Sequence, residues 1–563
     1  MKKRWLSILV IAALCGGIFA AAKVGLQVKE PEEVEETEED LALANQKETL
    51  YLWYTDEELT DYLSSVSVTF NEEREDVRVI PVLASGQEYL DHINAASVED
   101  EELPDLYIVG NDSLQTAFLA GLAVEIEAPE GVSLENMFPE AALRATTVDG
   151  RVVGYPLYFE TGTLLYNSTY LENWAKATVQ ARIDQEEGEQ AQAESEQNEP
   201  EADQYSDQKA SEHQDAGEKK TDDSKDEKDA KASDDSGKQE DGEKKDSGDA
   251  SADTQETEES VEEENTDPAF LAEVAELIEE SRPDTFSELL TFADEYDAPE
   301  QMEGLLKWDV TDIFYNYFFI GDAINVGGMY GDDVNLVDLY NERAIRGMHV
   351  YQSLNQFFSM NTEEISYDSV LQDFIDGKIM YMFATSDAVD ALELAKEEGR
   401  FEYDYDVCLL PDIMENYPAR SLSVTDAVVI NGFSKNKGAA NEFAAFLAMQ
   451  DGDTLYQRTT KLPAISNVTF TNTKLNGFVE EYERSVPVAK MPETSNYWVK
   501  LEMAFAQIWD GKDPNESLRA LAKELMEQIL DEDVTIAPIE VIFETEELEY
   551  FDEAEEKAAA QSE

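Results

Sequence analysis

A chain of 563 residues with 42% hydrophobic and 10% aromatic side chains is too long for one core and too apolar to be disordered throughout. Its formal net charge of −85 repels nucleic-acid phosphates and anionic lipid headgroups, and so excludes both as partners through charge. Only two cysteines occur, Cys15 and Cys408, so neither a disulfide framework nor a thiolate metal cluster is expected, and no cofactor is implied.

The chain opens like an export signal: Lys2, Lys3 and Arg4 precede an apolar run from Trp5 to Leu14. Three outcomes stay open for residues 1–22. Cys15 sits in a sequence similar to a lipoprotein box, Ala20-Ala21-Ala22 offers small residues for cleavage, and Trp5 to Ala22 is about the roughly 20 residues that an uncleaved anchor needs. Any membrane attachment is therefore expected at this end, by anchor or lipid only, with the rest outside the cytoplasm. Residues 23–48 are acidic and read as a tether.

Folded sequence begins at Leu50-Tyr51-Leu52-Trp53-Tyr54, a strand-like run, followed by a helix pattern with Leu59, Tyr62, Leu63, Val66 and Phe70. Val77 to Val82 reads as a second strand and Tyr89 to Ala96 as a helix. Leu106 to Val109 reads as a third strand, ending at Gly110-Asn111-Asp112. This alternation predicts a mostly parallel, helix-covered sheet. From Gln185 to Asp267 the composition turns to Glu, Asp, Lys, Ser, Gln and Ala, which predicts a disordered acidic insert. The pattern resumes with a helix from Phe286 to Tyr296. From about Asp531 an acidic extension holds one strand-like run, Thr535 to Phe543.

The catalytic inventory is thin. The histidines are His92, His213 and His349, and no G-x-S-x-G, H-E-x-x-H, P-loop or dinucleotide fingerprint occurs. The cluster Asp332-Asp333, Asn335 and Asp338 lacks the ligand spacing and turn glycine of a calcium loop, and reads as an ordinary loop.

Five segments, in order, resemble the maltose-binding-like, family 1 extracellular solute-binding proteins. They are Leu50 to Phe70; Leu103 to Val124; VDGRVVGYPLYFETGTLLYN, Val148 to Asn167; FIDGKIMYMF, Phe374 to Phe383; and VTDAVVINGFSKNKGAANEFAAFL, Val424 to Leu447. The resemblance implies an α/β fold of two periplasmic-binding-protein-like lobes joined by crossing hinge strands, plus the disordered insert and tails. It implies lobe 1 from 49–160 and 431–486, and lobe 2 from 161–430 and 487–530, with the insert at 185–267 and the acidic extension at 531–563. It also implies binding of a small solute, a sugar or oligosaccharide, with the permease subunits of an ABC importer as partners and no covalent chemistry.

Ligands of open α/β sheets sit at the carboxyl ends of strands. That rule makes Trp53, Tyr54 and Asp56 candidates after the first strand, and Asn111 and Asp112 after the third. Glu160 falls where the resembling family places a ligand-binding glutamate in its hinge segment. Trp308, Tyr315 and Tyr317 form an aromatic group, as do Tyr497 and Trp498; aromatic faces beside carboxylates and amides suit a sugar. After FIDGKIMYMF the chain departs from the family, reading Ala384-Thr385-Ser386-Asp387 where an aromatic is expected. The rival readings are a surface glycoside hydrolase with paired carboxylates, and a cell-surface scaffold or adhesion protein, which predicts repeats.

Overall fold

The structure, a computed structural model, describes residues 47–99, 103–197, 265–358, 360–414, 416–450 and 452–542. The expected leader, nearly all of the tether, most of the acidic insert and the end of the acidic extension lie outside them. The chain forms two compact units, one from the residues up to Ala175 together with those from Leu277, the other Lys176–Glu276.

In the larger unit, β1 (Glu48–Tyr54) buries Leu50, Leu52 and Tyr54 on one face. Helix α1 (Thr60–Glu73) lays Tyr62, Leu63, Val66 and Phe70 into the same core. Then follow β2 (Val77–Leu83), α2 (Tyr89–Glu99), β3 (Leu106–Gly110), α3 (Leu114–Leu119), α4 (Glu140–Thr146) and a hairpin of β4 (Thr147–Val148) and β5 (Arg151–Val152). Strand β6 (Tyr155–Thr161) belongs to this first sheet, and one residue, Gly162, separates it from β7 (Thr163–Asn167) of the second sheet. The uninterrupted burial of Tyr155–Phe159 and of all of β7 fits strands covered on both faces.

In chain order come α5 (Ser168–Gln197) and α6 (Pro268–Glu280), which hold most of the described smaller unit, and then, in the second lobe, α7 (Phe286–Glu295), β8 (Gly304–Lys307), a hairpin of β9 (Asn325–Val326) and β10 (Val337–Asp338), α8 (Glu342–Phe358), α9 (Tyr367–Ile375), β11 (Ile379–Ala384), α10 (Asp387–Glu397) and β12 (Tyr405–Cys408). Helix α7 starts where the sequence expects, because Thr285 and Glu288 close a reciprocal capping box. The chain then re-enters the first lobe with β13 (Leu422–Ile430), α11 (Lys437–Ala448), α12 (Gly452–Thr459), β14 (Leu462–Pro463), α13 (Asn476–Arg484) and β15 (Val486–Pro487). It ends in the second lobe with α14 (Tyr497–Trp509) and α15 (Pro514–Leu530).

The first sheet runs β14-β6-β13-β3-β1-β2 with β15 on β13, and the second runs β12-β7-β11-β8. Strands β1, β2 and β3 are parallel, but β13 is antiparallel to both β3 and β6, and β7 is antiparallel to β11 and β12. Both sheets are thus mixed rather than mostly parallel, because the strands that return between lobes arrive from the opposite end. For the same reason the lobe boundary expected at 430 moves to the start of β13: all of Leu422–Ile430 lies in the first sheet. An apolar run reveals a buried strand but not which sheet it joins. Among the described residues the chain crosses between lobes at Gly162, between β12 and β13, and between β15 and α14. Helix α13 underlies these crossings and contacts β6 and α4 of one lobe and β7 and β12 of the other. Tyr482 of α13 stacks on Phe159 of β6 at 3.8 Å.

Two further expectations change. The run Thr535 to Phe543 is not a strand in its described part. Residues 532–542 form an irregular segment whose Ile536, Ile539 and Val541 pack on the second-lobe core. In the smaller unit, α5 continues past Gln185, the expected start of the insert, to Gln197, because its Glu, Gln and Ala residues are strong helix formers even without an apolar face. Within that unit Arg182 pairs with Glu273 at 3.1 Å.

Candidate interlobe binding site

The turn after β1 starts the site. Asp56 caps a short 3₁₀ turn by accepting the Glu58 amide at 3.0 Å, and its other oxygen holds Lys461 Nζ at 3.0 Å. Lys461 also reaches Glu58 at 3.1 Å and stands 6.0 Å from the centre of the Tyr158 ring. Burial tends to strip its proton, but the Asp56 and Glu58 bonds prevail and hold its pKa above the ordinary lysine value.

Tyr158 and Glu160, two residues apart, share one face of β6. In the antiparallel register Asp426 of β13 lies opposite Tyr158, beside a bulge, and Val424 lies opposite Glu160. Desolvation first, then the nearby carboxylates of Asp112 and Glu160, push the Asp426 carboxyl up to about 7. Asp112 is itself raised by desolvation, though its side chain keeps contact with solvent. Glu160 is exposed at the end of the crossing strand. Its pKa rises through desolvation and through the charge of Asp387, Lys461 opposes the rise, and Asp312 adds to it. Asp387 and Asp312 both come from the second lobe, so Glu160 stands where the two lobes face each other.

The second-lobe wall is aromatic and acidic. Asp312 caps a 3₁₀ turn by accepting the Phe314 amide at 2.8 Å, which fixes Tyr315 in that turn. The Tyr315 ring lies flat on Tyr367, centroids 5.0 Å apart and planes 5° off parallel. Tyr367 donates its hydroxyl to Asp387 Oδ1 at 3.1 Å, and Thr385 also bonds that carboxylate. Glu502 on α14 is raised by desolvation and by Asp312 and Asp309. One helical turn earlier, Trp498 lies on the same side of α14. It packs 5.9 Å from Tyr317, and the two line a cavity of about 360 Å3 bounded also by Arg144, Asn325, Met329 and Arg420.

The sequence candidates separate accordingly. Asp56, Asp112, Glu160 and Tyr315 surround the interlobe groups, and Tyr317 and Trp498 line the cavity. Four others have structural duties. Trp308 is fully buried, donates to Asn316 Oδ1 at 2.8 Å and packs edge-on against Trp509. Tyr497 and Tyr54 are core residues at 2% exposure. Asn111, with no exposed surface, ties β13 to the third crossing by accepting the Thr425 amide and donating to Val488 O. Trp53 is half-buried against a smaller core on the opposite sheet face, with Tyr89, Ile93 and Tyr107. The residues missed are Tyr158, Asp312, Tyr367, Asp387, Asp426, Lys461 and Glu502. A charged Asp426 inside the apolar run VTDAVVI carried a signal; Lys461 and Glu502 had none. Among the described residues, no group of three His, Cys, Asp or Glu side chains is arranged to hold a metal ion.

These two lobes and their crossings have the fold of the two-lobe extracellular solute-binding proteins. The extracellular solute-binding protein from Staphylococcus aureus, solved in complex with maltose, matches with a TM-score of 0.59 at 15% identity, over 86% of this chain and 98% of that one. A cyclo/maltodextrin-binding protein complexed with maltotetraose matches at 0.58 and 17% identity, over 87% and 99%. The maltose-binding periplasmic protein of Listeria monocytogenes, in complex with maltose, matches at 0.56 and 17%, over 87% and 100%. In sequence, the galactooligosaccharide-binding protein of Bacillus subtilis is 26% identical over 133 residues, which are 22% of this chain and only 32% of that protein. No family model matches the chain. The expected fold class is borne out.

Proposed function

We propose that this chain is the extracytoplasmic substrate-binding protein of an ABC importer, taking a sugar or oligosaccharide between its lobes and presenting it to permease subunits. One observation carries this reading: a strand that leaves the first sheet at Thr161 and enters the second at Thr163 sets Glu160 opposite Asp312 and Asp387. Motion absorbed at a few crossing residues then opens and closes a polar, aromatic-walled cleft. Stacked tyrosines, carboxylates and a tryptophan suit the C–H faces and hydroxyls of a saccharide. The folds that match include proteins solved with maltose and maltotetraose. Delivery outside the cytoplasm agrees with the export-like first residues.

The test is a thermal-shift series with maltose, maltotriose, maltotetraose and galactooligosaccharides. A ligand that binds only the folded chain stabilises it by about 2.7 kcal/mol at a hundredfold excess over Kd. Chromatography after prolonged incubation should return the sugar unaltered. Products in excess of one equivalent would favour the hydrolase reading, and no shift with any saccharide would sink the sugar assignment.

A further inference from the structure

We propose that the cavity lined by Trp498 and Tyr317 is a binding site for a carboxylate carried on a hexose ring, with Arg144 and Arg420 holding the anion. The charge of its walls sets it apart from the rest of the chain. Asp and Glu outnumber Lys and Arg by 126 to 41, and the groups around Glu160 follow that excess. In this cavity of about 360 Å3 the balance is reversed: the lining includes two arginines and a single carboxylate, Asp322.

That carboxylate is already answered twice. Arg420 Nε donates to Asp322 Oδ1, and Arg343 of α8 donates to Oδ2, both at 2.7 Å. Two guanidinium groups on one carboxylate leave a net positive charge at the wall. Arg144, near the end of α4, adds a second. It makes no ion pair among the described residues, and its Nε is buried without a hydrogen-bond partner. A buried donor with no acceptor is costly, and an anion in the cavity supplies the acceptor. Behind Arg144 stands another cation rather than an anion, because the buried Lys490 ammonium donates to Arg144 O at 3.0 Å.

The walls also favour a particular carrier for that anion. Trp498 and Tyr317, ring centres 5.9 Å apart, supply aromatic surface for the C–H face of a sugar ring. A planar guanidinium meets both oxygens of a carboxylate at once, which a hydroxyl cannot offer. Asn325 is exposed and accepts the Gly328 amide at 2.8 Å on Oδ1, which leaves its NH2 to donate to a ring hydroxyl. A uronate answers all of these groups. A free uronic acid and a uronate residue of a saccharide present the same chemistry.

The test is calorimetric titration of the full chain with D-glucuronate and with trigalacturonate, beside glucose, maltotriose and acetate. The uronates should bind more tightly than glucose or acetate, with an affinity that falls at high salt. Arg144→Gln should weaken uronate binding by roughly tenfold or more. Asn325→Asp keeps an acceptor for the Gly328 amide and adds a negative charge to the wall, so it should weaken uronates by a similar factor with both arginines intact. Should Arg144→Gln fail to fold, the Asn325→Asp variant decides. Trigalacturonate binding more tightly than glucuronate would assign the carboxylate to a saccharide, and equal affinities to a free acid. Binding of neither uronate, acetate binding as tightly as glucuronate, or an affinity unchanged in the variants overturns the proposal. Maltotriose is read separately, so failure of this site is distinct from failure of the sugar assignment.

Discussion

Across the β6–β13 pair, Asp426 stands opposite Tyr158; desolvation disfavours the charged form of the aspartate carboxyl, and the tyrosine hydroxyl favours it. This pairing makes stability depend on pH with a definite sign. The folded carboxyl is raised to about 7, whereas an unfolded aspartate titrates near 3.9. Between those values the folded chain keeps a proton that the unfolded chain has lost. The Asp426 contribution therefore declines as pH rises from about 4 to about 7 and is level above. Asp426→Asn keeps an acceptor for Tyr158 without the charge. Urea unfolding at pH 4 and pH 8 should show the variant gaining on the parent by on the order of 2–4 kcal/mol between the two. Parallel pH profiles would show that Asp426 is not the group responsible.

The two tryptophans of the second lobe should behave differently. Trp308→Ala empties a fully buried site packed by Trp509, Phe319 and Phe383, and should cost about 3–5 kcal/mol of stability. Its folded fraction should bind as the parent does. Trp498→Ala, at the cavity wall, should cost much less stability but weaken binding of the best saccharide from the thermal-shift series by about 1–3 kcal/mol. Calorimetric titration beside urea unfolding separates the two; equal losses in both measurements for both variants would erase the distinction.

Gly321 gives a test of the hinge. A Cβ there would come 2.2 Å from Arg420 O in the second crossing, where Arg420 also bonds Asp322 Oδ1 at 2.7 Å. Because that neighbour is backbone, it must move. Gly321→Ala should destabilise by about 1–3 kcal/mol. A neutral result in thermal unfolding would mean that the crossing yields freely at Arg420.

How far the sequence reaches is visible in these residues. The alternation of Leu50, Leu52 and Tyr54 and the apolar stripe of α1 are local signals, and the elements they predict form. Glu160 emerged from a family resemblance in a hinge segment that also contains its structural cause, the single-residue passage at Gly162. The aromatic candidates were less legible, because Trp308 and Trp498 look alike in sequence while only burial separates core from cleft. Asp312, Asp387 and Lys461 are surface-like residues of an acidic chain until the fold brings them around Glu160. The sheet that β13 joins is likewise decided by tertiary contacts: its burial pattern would suit either lobe.

The segment after α15 shows the same limit and supplies the last prediction. Thr535 to Phe543 alternates as a strand would, yet it has no strand partner among the described residues and is held by side chains instead. Tyr340 receives the Ile539 amide on its hydroxyl at 2.8 Å, and Asn515 Nδ2 donates to Ile539 O at 2.8 Å, so both backbone groups of Ile539 are satisfied without a sheet. Arg346 donates to Ile542 O at 2.6 Å. Ile536, Ile539 and Val541 meanwhile cover the second-lobe core. A tail that only extended into solvent would be removable at no cost. This one should not be: ending the chain after Asp533 should lower stability by about 2–4 kcal/mol, from partly buried aliphatic surface and lost bonds to buried groups. Tyr340→Phe, which removes the hydroxyl and leaves the ring, should lose about 1 kcal/mol by the same route. Because the segment packs on the second lobe away from the groups around Glu160, saccharide affinity measured on the folded truncated protein should stay within about twofold of the parent. An unchanged denaturation midpoint after truncation would show that the segment does not stabilise the lobe it covers.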